Sequence, residues 1–273
     1  MYVLPRRGFL VAGVAALVTR LPGQQASRET ASRESLVDDV VTANRILAAQ
    51  EIVDAFGHVS VRVAPGAGRY LISRSIAPAQ VTAADIMELD LDSKPIVIAG
   101  ASDKRTSYRE RFIHGEIYRV RPDVMSVVHC HAPALIPFGI ARIPLRPVYH
   151  NSSFIGEGVP VFEIREAGGD TDMLVSTPEL GRALAKALGN KPAVLMRGHG
   201  AVIVGKNIIE AVARSVYLEV NARVQAQAMS MGARVTYLDE GEVKKRSEDP
   251  DPYGRAWDLW KHQALQGSGQ SGR

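Results

Sequence analysis

Residues 124–131, Val-Met-Ser-Val-Val-His-Cys-His, and residues 193–204, Ala-Val-Leu-Met-Arg-Gly-His-Gly-Ala-Val-Ile-Val, decide how this chain is read. The first is a short apolar run of the buried-strand type, Val124 to Val128, leading into His129. Residues i and i+2 of a strand share a face, with Cα atoms roughly 6.5 Å apart, so His129 and His131 can reach one ion. Cys130 between them points the other way. The second stretch reads as two apolar strands, Ala193–Met196 and Ala201–Val204, with Arg197-Gly198-His199-Gly200 between them. Glycines on both sides of His199 let the backbone turn tightly and bring a third ring close. A His-x-His pair alone also fits a structural or surface role; joined to Gly-His-Gly at a strand end, it reads as a metal site.

Outward from these strands the pattern is that of one α/β domain. Apolar residues recur at helical spacing from Ser35 to Phe56, and Gly57 is placed to stop that helix. His58 to Val63 alternates at period two, Pro65-Gly66-Ala67-Gly68 turns the chain, and Tyr70–Ser73 returns, which predicts a hairpin. Thr82-Ala-Ala-Asp85 resembles a helix start before a strand near Ile86 to Leu91, and a turn at Asp92-Ser93-Lys94 leads into Pro95–Ala99. Helices are predicted from Tyr108 to Val120, ending before Pro122, from Glu179 to Leu188, and from Ile208 to Met231. No internal repeat or domain-separating linker is visible. The Gly/Ser-rich tail from Gln266 to Arg273 predicts disorder.

The Tyr108–Val120 helix places Glu110 and His114 at i,i+4 on one face. They read either as a helix-surface pair or as a carboxylate beside a metal, serving as fourth ligand or general acid/base.

With 273 residues, the chain is long enough for one large domain or two small ones. Apolar residues at 46% and charged residues at 23% exclude disordered and collagen-like classes. A single cysteine excludes a disulfide scaffold and any cysteine-based zinc cluster. Of the formal net charge of +4, Arg6, Arg7 and Arg20 supply three, in a stretch 1–26 that has no acid. The near-neutral remainder gives no reason to invoke nucleic acid or an anionic membrane.

That N-terminus reads as an address. Arg6-Arg7 precedes an apolar stretch, Gly8–Val18, that is far short of the roughly 20 residues a spanning helix needs, so no stable membrane anchor is expected. A basic start, an apolar centre and small polar residues make a secretory signal, and the arginine pair points to the twin-arginine type over residues 1–26. Export to the periplasm follows. The other reading is a misassigned start or a short amphipathic helix, which would leave the protein cytoplasmic. Gln25-Ala26-Ser27 is the nearest thing to a cleavage site.

Glu110-x-x-x-His114, His129-x-His131 and Gly198-His199-Gly200, preceded by Gly57-His58-Val59-Ser60, together resemble the class II aldolase/adducin family. The resemblance covers roughly residues 36–235, which predicts a domain at 35–235 and a C-terminal extension at 236–273. It implies a three-layer α/β/α sandwich, usually a homotetramer with active sites at subunit interfaces. It also implies that His129, His131 and His199 bind one divalent metal per subunit, and that Glu110 is the catalytic acid/base and possible fourth ligand. Ligand types do not choose among zinc, manganese, cobalt and iron(II).

Sugar-phosphate aldolases of that family bind phosphate with Gly-Asn at the first loop and a Ser-Ser pair before the catalytic Glu. Here those positions hold Gly57-His58 and Tyr108-Arg109. The compact phosphate cradle is therefore missing, whereas His58, Arg109 and the loop Ser73-Arg74-Ser75 can clamp planar carboxylates. Tyr108 to Tyr118 and Leu195 to Gly200 resemble the family's decarboxylase branch, which includes 3-hydroxy-2-methylpyridine-4,5-dicarboxylate and 3,4-dihydroxyphthalate decarboxylases. The expected activity is decarboxylation of a hydroxylated aromatic (di)carboxylate through a metal-stabilised carbanion or enolate. The alternatives are an aldolase acting on a non-phosphorylated or sugar-type substrate, and a non-catalytic adducin-like binding module. Lesser candidates are His150–Phe154 as pocket lining, Tyr217, Glu219, Asn221 and Arg223 on the long helix, and His262 in the tail.

Overall fold

A computed structural model of the chain describes residues 32–96, 103–141, 143–232 and 234–267. In chain order the elements are α1 (Arg33–Ala49), β1 (His58–Arg62), β2 (Arg69–Ser73), β3 (Ile86–Asp90), α2 (Phe112–Val120), β4 (Ser126–Cys130), α3 (Ile136–Ile140) and β5 (Val161–Phe162). They continue with α4 (Arg165–Gly168), α5 (Pro178–Leu188), β6 (Ala193–Met196), β7 (Gly200–Gly205), α6 (Ile208–Ser230), α7 (Glu240–Arg246) and α8 (Gly254–Gly267).

The strands form one seven-stranded sheet in the order β3-β2-β1-β4-β7-β6-β5 among the described residues. Every pairing is antiparallel except β5 with β6. Each face carries an apolar cluster. Val59, Val61, Leu71, Val128, Cys130, Leu195 and Ile203 pack with residues of α1, α6 and α8. Tyr70, Ile72, Val127, Val194 and Val202 pack with residues of α2 and α5 on the other face. Strands buried on both faces read as near-continuous hydrophobic runs, which is how β6 and β7 appear in the sequence. Helices on both sides of one sheet make the three-layer α/β/α sandwich.

Local chemistry starts the helices where the pattern requires. The Ser32 hydroxyl accepts from Ser35 N at 3.2 Å, Thr177 caps α5 with Pro178 at its first position, and Asn207 caps α6.

Three boundaries differ from the sequence reading. The first helix ends at Ala49 rather than Phe56. Ile52 and Val53 stay buried, so the apolar spacing continues past the helix, while Glu51 turns the chain at φ 58°. Gly57, at φ 91°, opens β1 instead of capping α1. The helix expected from Tyr108 begins as a 3-10 turn, Arg109–Arg111, with Glu110 at φ −90°, ψ 18°, and becomes α-helical only at Phe112. The strand expected to end at Val128 runs on to Cys130, so His129 lies inside β4.

The 236–273 segment contributes α7 and α8, and Trp257 and Trp260 of α8 are buried against the α1 side of the sheet. Gln266 and Gly267, placed in a disordered tail by composition, are the last residues of α8. The signal segment 1–26, residues 97–99 of the expected strand and residues 268–273 lie outside the described residues. Among the described residues, no helix is long and apolar enough to cross a membrane.

Gly200 sits where β7 leaves the histidine turn, and a Cβ there would press directly on the Cys130 carbonyl oxygen of the neighbouring strand. Gly200→Ala is expected to lower unfolding free energy by roughly 1–3 kcal/mol through overpacking. Urea titration of the metal-free protein checks this, and an unchanged midpoint would contradict it.

Candidate metal centre

β4 pairs with β7, with Cys130 opposite Ala201, so His131 leaving one strand meets His199 entering the other. The His131 Nε2 lies 3.1 Å from His129 Nε2 and 3.0 Å from His199 Nε2. Glu110 faces the same point, with Oε2 3.3 Å from His129 Nε2 and 3.6 Å from His199 Nε2. One ligand atom from each of the four residues lies within 4.8 Å of every other. The kink at Glu110 matters here: the residue stands ahead of α2, on a turn of its own, with its carboxylate buried toward the strand ends.

The far side of each ring fixes which nitrogen points inward. His129 Nδ1 meets the Ala201 carbonyl at 3.1 Å, and His199 Nδ1 meets the Met173 carbonyl at 3.0 Å. A carbonyl only accepts, so both Nδ1 atoms carry the proton and both Nε2 atoms present lone pairs. His131 can offer at most one proton to this group. Two lone-pair nitrogens, an ionised carboxylate oxygen and the His131 nitrogen thus converge with too few donors to match them. Such a set fits a cation: tetrahedral zinc, with Zn–N near 2.0–2.1 Å, places its nitrogens about 3.3 Å apart. Three imidazoles and a carboxylate accept zinc, manganese, cobalt or iron alike.

Electrostatics keep the set in its ligating form. Burial opposes ionisation of Glu110, while positive charge at His129 and His199, whether a proton or a shared cation, and the Val175 amide draw its carboxyl below the usual range. Val175 N donates to Glu110 Oε1 at 2.9 Å. Burial, then the neighbouring His129, pulls His131 down to about 4 and His199 in the same direction.

Residues 172–175 are the part of the site that the sequence did not announce. Met173 holds His199 through its carbonyl from a backbone at φ 67°, and Val175 holds Glu110 through its amide. Asp172 pairs with Arg109 at 2.8 Å. The signal available was the turn-forming run Gly168-Gly169-Asp170-Thr171-Asp172. Its contributions to Glu110 and His199 are main-chain groups, which side-chain motifs do not encode.

A cleft of about 500 Å³ opens over Glu110 and His131 and is lined by His58, Ser75, Tyr108, Arg109, Phe56 and Leu174 among others. Of the expected substrate residues, His58, Ser75, Tyr108 and Arg109 therefore reach it. Ser73 is buried and meets the Tyr108 hydroxyl at 3.0 Å, while that hydroxyl donates to the Ile76 carbonyl at 2.6 Å. Arg74 pairs with Asp85 at 2.6 Å and is absent from the cleft lining. His114 is fully buried, and its Nε2 lies 2.7 Å from His58 Nδ1. Burial first, and then the histidines around them, push His114 down to about 3 and His58 well below its ordinary value. Glu219 and Arg223 line a second cleft that also reaches His131. Asn151 and Ser153 line a separate cavity beside α7, and His262 meets Gln266 within α8.

A three-layer sandwich whose central strands and a kinked turn bring three histidines and a glutamate together beside a cleft is an enzyme-like scaffold. The chain belongs to the class II aldolase/adducin family: the Class II Aldolase and Adducin N-terminal domain matches residues 38–226. It is 33% identical to Decarboxylase tropJ of Talaromyces stipitatus, over 81% of this chain and 90% of that protein. It is 27% identical to 3,4-dihydroxyphthalate decarboxylase of Arthrobacter keyseri, over 82% and 90% respectively. Its fold matches L-fuculose 1-phosphate aldolase from Glaciozyma antarctica PI12 with a TM-score of 0.69 at 23% identity, over 87% of this chain and 94% of the other. Family and relatives agree, and the chain is an enzyme, a lyase.

The low value at His131 gives a pH prediction. An ordinary histidine would be half protonated near pH 6.5, whereas His131 stays neutral until pH falls toward about 4. Metal content after equilibration at descending pH is expected to hold through pH 6 and to fall as pH approaches 4. Release already at pH 6 would contradict it.

Proposed function

We propose that this chain is a divalent-metal-dependent carbon–carbon lyase that decarboxylates a hydroxylated aromatic (di)carboxylate. The observation that carries this reading is the convergence of His129, His131, His199 and Glu110, mostly acceptors, with Glu110 and His131 lining the cleft. The two decarboxylase relatives support the reaction class. The ion held by these four residues would act, when bound, as a Lewis acid toward the substrate's oxygens.

The protein's own groups divide the remaining work. Arg109 and Ser75 at the cleft wall, with His58, supply donors for carboxylate oxygens. Ionised Glu110 takes the hydroxyl proton of the bound substrate. The bond between the ring and its carboxyl carbon breaks, carbon dioxide leaves, and the electron pair stays on the ring carbon. Glu110 returns the proton to that carbon, and solvent reprotonates the hydroxyl as product departs.

The resemblance to the family supports a homotetramer with active sites between subunits. The Arg6-Arg7 pair ahead of Gly8–Val18 supports export to the periplasm by the twin-arginine route with 1–26 as signal. An aldolase acting on a non-phosphorylated or sugar-type substrate is the second reading, favoured by the fold match to L-fuculose 1-phosphate aldolase. Against it, the Tyr108 and Ser73 hydroxyls near the cleft are spent on each other and on Ile76.

Metal analysis of the purified protein beside a His129→Ala/His131→Ala variant, followed by a carbon dioxide assay with 3,4-dihydroxyphthalate, tests the proposal. Near-stoichiometric metal, lost in the variant, is expected. Glu110→Gln is expected to keep the three imidazoles and to slow carbon dioxide release roughly 100- to 10,000-fold, the usual worth of a general acid–base group. Wild-type turnover in that variant would remove Glu110 from its role.

A further inference from the structure

A chain of buried hydrogen bonds runs inward from the cleft. His58 Nδ1 lies 2.7 Å from His114 Nε2, His114 Nδ1 lies 2.6 Å from Ser60 Oγ, and Ser60 Oγ lies 2.8 Å from the Tyr118 hydroxyl. All four residues are at most 3% exposed. The pattern follows from two periods. His58 and Ser60 are i and i+2 on β1, and His114 and Tyr118 are i and i+4 on α2, so each pair shares a face and the two faces interleave.

The direction of the chain can be assigned from which hydrogens find acceptors. In one sense the Tyr118 hydroxyl donates to Ser60, Ser60 donates to His114 Nδ1, and His114 Nε2–H donates to His58 Nδ1. In the reverse sense the Tyr118 hydrogen is left with only the Met125 carbonyl, 3.5 Å away. That distance is beyond a normal O–H···O bond, and a buried unsatisfied hydroxyl is costly. The first sense therefore prevails, and His58 carries its proton on Nε2. Among the described residues no hydrogen-bond partner meets that Nε2, yet the ring lines the cleft and is held between Tyr108 and His129, with centroids 4.5 and 5.1 Å away.

We propose that His114, backed by Ser60 and Tyr118, is a positioning residue that holds His58 as the Nε2–H donor, aimed at a substrate carboxylate next to the oxygens the metal would chelate. This rests on the lyase reading above and deepens it: it assigns the selection of an acidic over a neutral chelating substrate to His58. A neutral N–H donor in a buried wall rewards an anionic acceptor more than a neutral one.

The metal-loaded protein is titrated calorimetrically with catechol and with 2,3-dihydroxybenzoate, which differ by one carboxylate beside the chelating pair. The wild type is expected to bind the carboxylate about tenfold more tightly. His58→Phe should remove most of that preference, leaving the share that Arg109 and Ser75 supply. His114→Phe should reduce it several-fold while catechol binding holds, and His114→Gln, whose amide can still donate to His58 Nδ1, should restore part of it. Because buried variants can fail to fold, nitrogen-15 spectra of the wild type give an independent reading, expected to show His58 as the Nε2–H tautomer. An Nδ1–H tautomer, or equal affinity for the two probes while catechol binds, would overturn the proposal and leave the lyase reading standing. Failure of both probes to bind metal-loaded protein would overturn that reading and this one with it.

Discussion

The structure depends on one electrostatic requirement, that imidazole nitrogens and a carboxylate be held facing one another without enough protons to share. Left to themselves such groups repel. They are kept together because three of the four are pinned from behind: His129 and His199 by main-chain carbonyls, and Glu110 by a main-chain amide. A metal ion would convert that repulsion into ligation, so binding energy and folding energy are coupled at this point.

The sheet makes the arrangement possible by giving its two faces different work. On the α1 side, Val128 and Cys130 belong to a continuous apolar core. On the α2 side, His129 continues the row that Val127 begins, and the row of β1 contributes His58 and Ser60. Alternation along a strand lets one strand serve a dry core and a polar site together. The polar side is stable because its members satisfy one another in sequence, and a partly satisfied buried network would cost more than an apolar one.

What could be read beforehand followed from side-chain pattern. The strands around His129 and His199, the hairpin from His58 to Ser73 and the helix after Asn207 were all legible, because period and capping chemistry are local. The three histidines were legible as a candidate metal set from His-x-His beside Gly-His-Gly, whereas Glu110 joined them only through the resemblance to the family. Illegible were features set by the third dimension. The early end of α1, with Ile52 and Val53 still buried, keeps the apolar rhythm while the backbone turns at Glu51. The pairing of Glu110 with His114 on one helix face dissolved because Glu110 sits on a 3-10 turn ahead of the helix. The supports from Met173 and Val175 are backbone groups, and backbone groups leave no trace in residue type.

The interior of the cleft bears on the proposed carboxylate substrate more directly than the metal ligands do. A phosphate needs several small, free donors converging on a tetrahedral anion. At the positions where sugar-phosphate aldolases keep such donors, this chain has an aromatic hydroxyl bonded to Ile76 and a buried imidazole bonded to His114. What lines the wall is an imidazole edge, the exposed Ser75 and the Arg109 guanidinium, one nitrogen of which is paired with Asp172. The imidazole and the guanidinium are flat donors, and flat donors match carboxylates lying in or near the plane of a ring. The proposed carboxylate clamp therefore stands beside the four residues that would hold the metal and shares none of its donors with them.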